Sequence, residues 1–173
     1  MAMEQRKRIH PHKFTLWVGI GSILMMFAGL TSAYIVKRNQ PGWEQFAFPK
    51  FFWYSTVVIL LSSLTMHLAL KAFKARERVK YRNMITATLV LGLLFMLFQY
   101  FGFSELWKQG KALGETVSVD FLYVIVGLHG AHVAAGVVAL VVTFIKAFSQ
   151  KSKQYNSVPV ELMSTYWHFV DVL

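Results

Sequence analysis

The sequence predicts an all-α integral membrane protein: a five-helix transmembrane bundle with its N-terminus in the cytoplasm. Three observations predict it. First, the 173 residues are 55% hydrophobic and only 15% charged, against about 25% charged in an average globular chain. Second, the charges are segregated. No charged residue falls among the 23 residues between Lys13 and Lys37, the 20 between Lys50 and Lys71, the 22 between Arg82 and Glu105 or the 25 between Asp120 and Lys146. A helix needs about 20 such residues to cross a hydrocarbon core about 30 Å thick. Third, Lys and Arg alternate by loop. Thirteen lie before Phe14, in 71–82 and in 146–159, against five in 37–50 and 105–118, the positive-inside asymmetry of an N-in protein. A soluble bundle would need four successive helices, each apolar all round and as long as a bilayer is thick. Strands fare worse, because alternation is absent and a spanning backbone must satisfy its hydrogen bonds in a helix or a closed barrel.

Residues 1–13 form a basic cytoplasmic tail, and 14–173 a single transmembrane domain with helices over about 14–36, 51–73, 83–104, 119–145 and 160–173. The first apolar run exceeds the 7–15 residues of a signal h-region, so it reads as a retained helix. A short outer loop with Pro41-Gly42 and Pro49 follows. The second span opens on Phe51-Phe52-Trp53-Tyr54, an aromatic belt at the interface. The cluster KAFKARERVKYR (71–82) makes the next loop a basic cytoplasmic hairpin near anionic headgroups. The net charge of +10 thus belongs to membrane-facing loops, and no nucleic-acid partner is expected. The third span ends at Ser104-Glu105, and Gly110 and Gly114 punctuate the loop beyond. In the fourth, Gly127, Ala131 and Ala135 recur on one face, a small-residue stripe suited to close helix packing in lipid. Pro159 suits the first turn of the fifth helix, with Ser157 as its cap. Its roughly 14 residues would cross only about 21 Å, so a truncated chain, or a separate segment that completes the helix, is expected.

Polar residues inside spans are costly, about 2.5–3.5 kcal/mol for a charge at mid-bilayer, and they are the informative ones: His67, Gln99, His129, His132, His168 and Asp171. His129 and His132 share a helix face by their i, i+3 spacing. Two neighbours on one face cannot clamp a haem from both sides, though His129 could pair with His168 or His67 from another helix. The alternative is interhelical hydrogen bonding. His168 and Asp171 repeat the i, i+3 spacing, which suits either a structural clasp or a proton relay, with Asp171 orienting the imidazole. Cysteine is absent, which excludes disulfides and thiolate chemistry. No phosphate loop, carboxylate pair or nucleophile triad is present.

GLHGAHVAAG (127–136) and TYWHFVDV (165–172) resemble the two most recognisable stretches of subunit III of the haem–copper cytochrome c oxidases, in the family's order. MFAGLTSAY (26–34), LLSSLT (60–65) and RNMITATLVLGLLFMLFQY (82–100) resemble its third, fourth and fifth helices, so the chain is similar to the short, five-helix bacterial form. The resemblance implies a non-catalytic subunit in the bacterial cytoplasmic membrane. Haems and copper would sit in partner subunits and none in this chain. Subunit I would be the direct partner, with subunit II, other subunits and a larger respiratory supercomplex beyond it, and phospholipid would be bound. Under it, Gln99, His129, His132, Trp167, His168 and Asp171 form a structural polar network and subunit interface. The chain departs from the family at Ile23 and Gly102, where glutamates are common, and the two leading helices are missing. A membrane cytochrome b or quinone-site anchor is the alternative that the histidines alone would allow.

Overall fold

A computed structural model describes residues 11–41, 43, 50–111, 113–114, 116–149 and 157–173. These form five α-helices: α1 Pro11–Arg38, α2 Lys50–Lys74, α3 Arg78–Lys108, α4 Val117–Phe148 and α5 Val158–Val172. The first four are long and apolar enough to cross a membrane, and no strand occurs among the described residues. The helices overrun their apolar stretches, α3 by five residues at its start and four at its end. Hydropathy marks the hydrocarbon-embedded part, whereas backbone hydrogen bonding continues into the headgroup zone. Pro11–Lys13, read as tail, are therefore helical. The Pro41-Gly42 and Pro49 turn lies mostly outside the described residues, as do residues 1–10.

Successive helices run antiparallel, which gathers Lys13, Lys74, Arg82 and Lys146 at one end, called here the basic end. The α2–α3 hairpin is the most extensive pairing among the described helices, and α1 packs against α4 and α5. The α2–α3 turn closes through Glu77 N–H to Ala72 O and Arg76 N–H to Phe73 O, both 3.0 Å. That places Arg76 in the left-handed region at φ 60°, the position usually left to glycine. Gly110, at φ 71°, takes that position after α3, with Lys111 N–H bonded to Leu106 O. Arg82 Nε donates to Ala147 O at 2.9 Å, with its guanidinium 5.0 Å from the Phe148 ring centre. A cation thus caps the carbonyl end of α4. Pro159 stands in the first turn of α5, but Ser157 makes no side-chain cap bond, its backbone already being helical at φ −77° and ψ −19°.

The core is densest toward the basic end. Met66, Ile85, Val133 and Leu140 are fully buried there around Trp167. In lipid this packing rests on shape and hydrogen bonds, since the surrounding tails are as apolar as the side chains. The Gly127–Ala131–Ala135 stripe faces away from the other four helices. All three residues are exposed, and a Cβ at Gly127 would meet nothing within 4 Å. Close approach falls instead to Gly136 on α4 and Gly92 on α3, both buried.

Candidate functional site

Gly92 and Gly136 define a slot, and the Trp167 indole fills it. A Cβ added at Gly92 would stand 3.0 Å from Trp167 Cη2, and one at Gly136 would stand 3.0 Å from Cζ3. The ring is 1% exposed, and its Nε1–H donates to Ser62 Oγ at 3.0 Å. One side chain from α5 thereby touches α2, α3 and α4. Ser62 reaches on to Thr88 O at 3.5 Å, and the Thr65 and Thr88 hydroxyls meet at 2.9 Å. Hydroxyls bonded to their own helix's carbonyls, such as Thr88 to Met84 O at 2.9 Å, leave no donor bare in an apolar setting.

His168, one residue on, faces α2. Its Nδ1 lies 2.6 Å from Ser63 Oγ. The expected direct His168–Asp171 clasp does not form: among the described residues no hydrogen bond or ion pair joins the two, because His168 turns to Ser63 of α2 instead. The His67 ring lies beside it, 6.1 Å between centroids.

On α4, His132 Nδ1–H donates to Leu128 O at 2.7 Å, and Tyr166 donates to His132 O at 3.0 Å. His129 and His132 both pack edgewise on Phe27 of α1, at 6.5 and 5.8 Å. The shared imidazole face therefore seats α1 against α4. His129 also meets Phe95 at 6.1 Å, and its Nδ1 is buried with no partner in the protein.

Toward the far end the helices part around a cleft of about 880 Å³. His129, Gln99 and Asp171 line it. Gln99 Nε2 donates to Ser55 Oγ at 3.4 Å, while Gln99 Oε1 and Asp171 Oδ2 are buried without partners. Gly102 sits just above Gln99, where a Cβ would come within 3.1 Å of the Phe52 ring. An acidic side chain there, where the resemblance would place one, would crowd the Phe52 ring. No group of three or more His, Asp or Glu placed to hold a metal ion occurs among the described residues.

The structure bonds Trp167 and His168 of α5 to Ser62 and Ser63 of α2 in a polar seam, spends the His132 side chain within α4, and brings Gln99, His129 and Asp171 to the adjoining cleft. Ser55, Ser62, Ser63 and Thr88 were missed as members. The clustered hydroxyls of LLSSLT were the available signal, but nothing in one helix says which faces a partner.

Fold and seam together define an all-helical integral membrane subunit whose internal polar side chains join helix to helix. Residues 42–173 match the family of cytochrome c oxidase subunit III, and the chain belongs to that family. It is 28% identical to cytochrome c oxidase subunit 3 of Corynebacterium diphtheriae over 169 residues, covering 90% of this chain and 82% of that one. The subunit 3 of Bacillus sp. (strain PS3) is 28% identical over 162 residues, with coverage of 91% and 78%. That of Bacillus subtilis is 28% identical over 163 residues, with the same coverage.

Proposed function

We propose that the chain is a non-catalytic subunit of a bacterial aerobic haem–copper oxidase. It sits in the cytoplasmic membrane with its N-terminus inside and packs directly on subunit I, with subunit II and further subunits completing the complex. It supports assembly, phospholipid binding and sustained, proton-coupled oxygen reduction, while haems and copper reside in its partners. The observation that carries this reading is how the seam uses its polar atoms. Trp167 Nε1 is bonded to Ser62 and His168 Nδ1 to Ser63, so both hold α5 to α2, while His132 Nδ1 is spent on Leu128 O within α4. Interhelical bonds of this kind in lipid contribute about 0.6–2 kcal/mol each.

The test is a mild-detergent pull-down of the tagged chain, with mass spectrometry of its partners and a reduced-minus-oxidised spectrum. A co-purifying haem–copper subunit and a colourless isolated chain are expected. Haem carried by this chain alone would instead make it a cytochrome b-like anchor. Orientation is tested separately, because the chain has no cysteine of its own. A cysteine at Arg78 should resist an impermeant thiol reagent in intact cells, and one at Leu113 should react. The reverse pattern would invert the topology.

A further inference from the structure

Ser63 and His67 stand one turn apart on α2, an i, i+4 pair on one face, and His168 of α5 meets both. Its Nδ1 lies 2.6 Å from Ser63 Oγ. Its ring centre lies 6.1 Å from that of His67, with 50° between the two planes. His67 is exposed and His168 half-buried. The seam between α2 and α5 uses Nδ1 of His168 and neither nitrogen of His67. An exposed imidazole on a spanning helix is costly unless something engages it.

We propose that His67 and His168 together hold one divalent transition-metal ion of the zinc class. Zinc–nitrogen bonds run about 2.0–2.1 Å, and a ring nitrogen stands a little over 1 Å from its ring centre, so two imidazoles on one ion have centres about 5–6.5 Å apart. The observed 6.1 Å falls in that range, and the exposed His67 ring is free to turn toward the ion. Ser63 supplies the outer support. A metal-bound imidazole almost always donates its other N–H to an oxygen. Here Nδ1–H of His168 donates to Ser63 Oγ, which leaves the Nε2 lone pair for the ion. Imidazole nitrogens suit zinc, copper or nickel, whereas magnesium and calcium take oxygen ligands. Glu161, two turns from His168 along α5, is not a third ligand. Its carboxylate is held by Lys13 Nζ at 2.9 Å and Lys74 Nζ at 3.4 Å. Two protein ligands leave the other positions of a four-coordinate ion to water. Water reaches them, since His67 lies four residues, about 6 Å, inside Lys71 at the basic end. The ion is therefore exchangeable and removed by a chelator. The site is separate from the haems and copper assigned above to partner subunits, and does not depend on that assignment.

The full-length chain, with a tag free of histidine and stripped by a chelator, is titrated with zinc in detergent, and the bound metal is counted by equilibrium dialysis. His67→Ala should remove one equivalent, while His10→Ala with His12→Ala, in the N-terminal tail, should keep it. Ser63→Ala should weaken zinc binding by about 10–100-fold, the usual effect of removing an outer partner of a ligand. Coordination itself is read from His67→Cys loaded with cobalt. The chain has no native cysteine, so a cobalt–thiolate charge-transfer band can arise only at position 67. Zinc should bleach that band. An unchanged zinc count in His67→Ala overturns the proposal, and so does His67→Cys without a thiolate band. Loss of the bound zinc in the tail variant instead assigns it to the tail, and overturns the proposal as well.

Discussion

Replacing Gly136 with alanine tests the seating of Trp167, and the structure sets the size of the effect. The new Cβ would lie 3.0 Å from Trp167 Cζ3, 3.2 Å from Cε3 and 3.2 Å from Tyr166 Cε1. All three are ring atoms, which cannot fold away like the end of a flexible chain. The indole has no retreat either. Its opposite edge already faces Gly92, where a Cβ would stand 3.0 Å from Cη2, and its Nε1–H is tied to Ser62 at 3.0 Å. Overpacking of this kind costs about 1–3 kcal/mol. With about 2–4 °C of melting temperature per kcal/mol for a chain of this size, a fall of about 2–12 °C is expected. Thermal unfolding of the detergent-solubilised chain, followed by size exclusion or tryptophan emission, measures it. Gly127→Ala, with open space around it, is the control and should be neutral. Combining Gly136→Ala with Trp167→Phe adds a second check. The smaller ring leaves room for the methyl group, so the pair should couple by about 0.5–3 kcal/mol, the range for side chains in contact. A neutral Gly136→Ala beside a damaging Gly127→Ala would refute the slot. Strict additivity of the pair would refute the contact.

Ser63→Ala removes the hydroxyl that meets His168 Nδ1, leaving a half-buried imidazole nitrogen unpaired at about 1–3 kcal/mol. The melting temperature should fall, and an unchanged value would show that the seam does not pass through Ser63. Ser62→Ala deletes the acceptor of Trp167 Nε1, leaves that buried N–H unpaired and should cost about 1–3 kcal/mol; no loss in the same melt would mean that the indole is held by shape alone. Arg76→Gly relieves a left-handed backbone at φ 60°, worth about 1–2 kcal/mol in the folded state, so a rise in melting temperature is expected. A fall would show that the arginine side chain outweighs the strain.

How much of this was legible beforehand differs residue by residue. The four spans and the alternation of basic loops could be read directly, because a hydrocarbon solvent acts on every side chain and writes itself into composition. Trp167, His168 and Asp171 stood out for the same reason: a polar group within an apolar run has a cost that some partner must offset. The partner was not legible. Ser62 and Ser63 are adjacent in the chain, yet one accepts from Trp167 and the other meets His168. That division depends on the rotation of α2 against α5. The small-residue stripe shows the limit most clearly. Gly127, Ala131 and Ala135 have the right spacing and face outward, while Gly136, one position along, takes the tryptophan. Spacing identifies a face, and only packing decides what it touches. By itself, the sequence determined that the chain lives in a membrane, where its helices cross and which polar residues needed partners, since these follow from solvation along one dimension. The tertiary structure alone decided the glycine slot, the Ser63–His168 contact and the Lys13–Glu161–Lys74 ion pairs. Each is a meeting of helices far apart in the chain, and its geometry is set by how they rotate and cross.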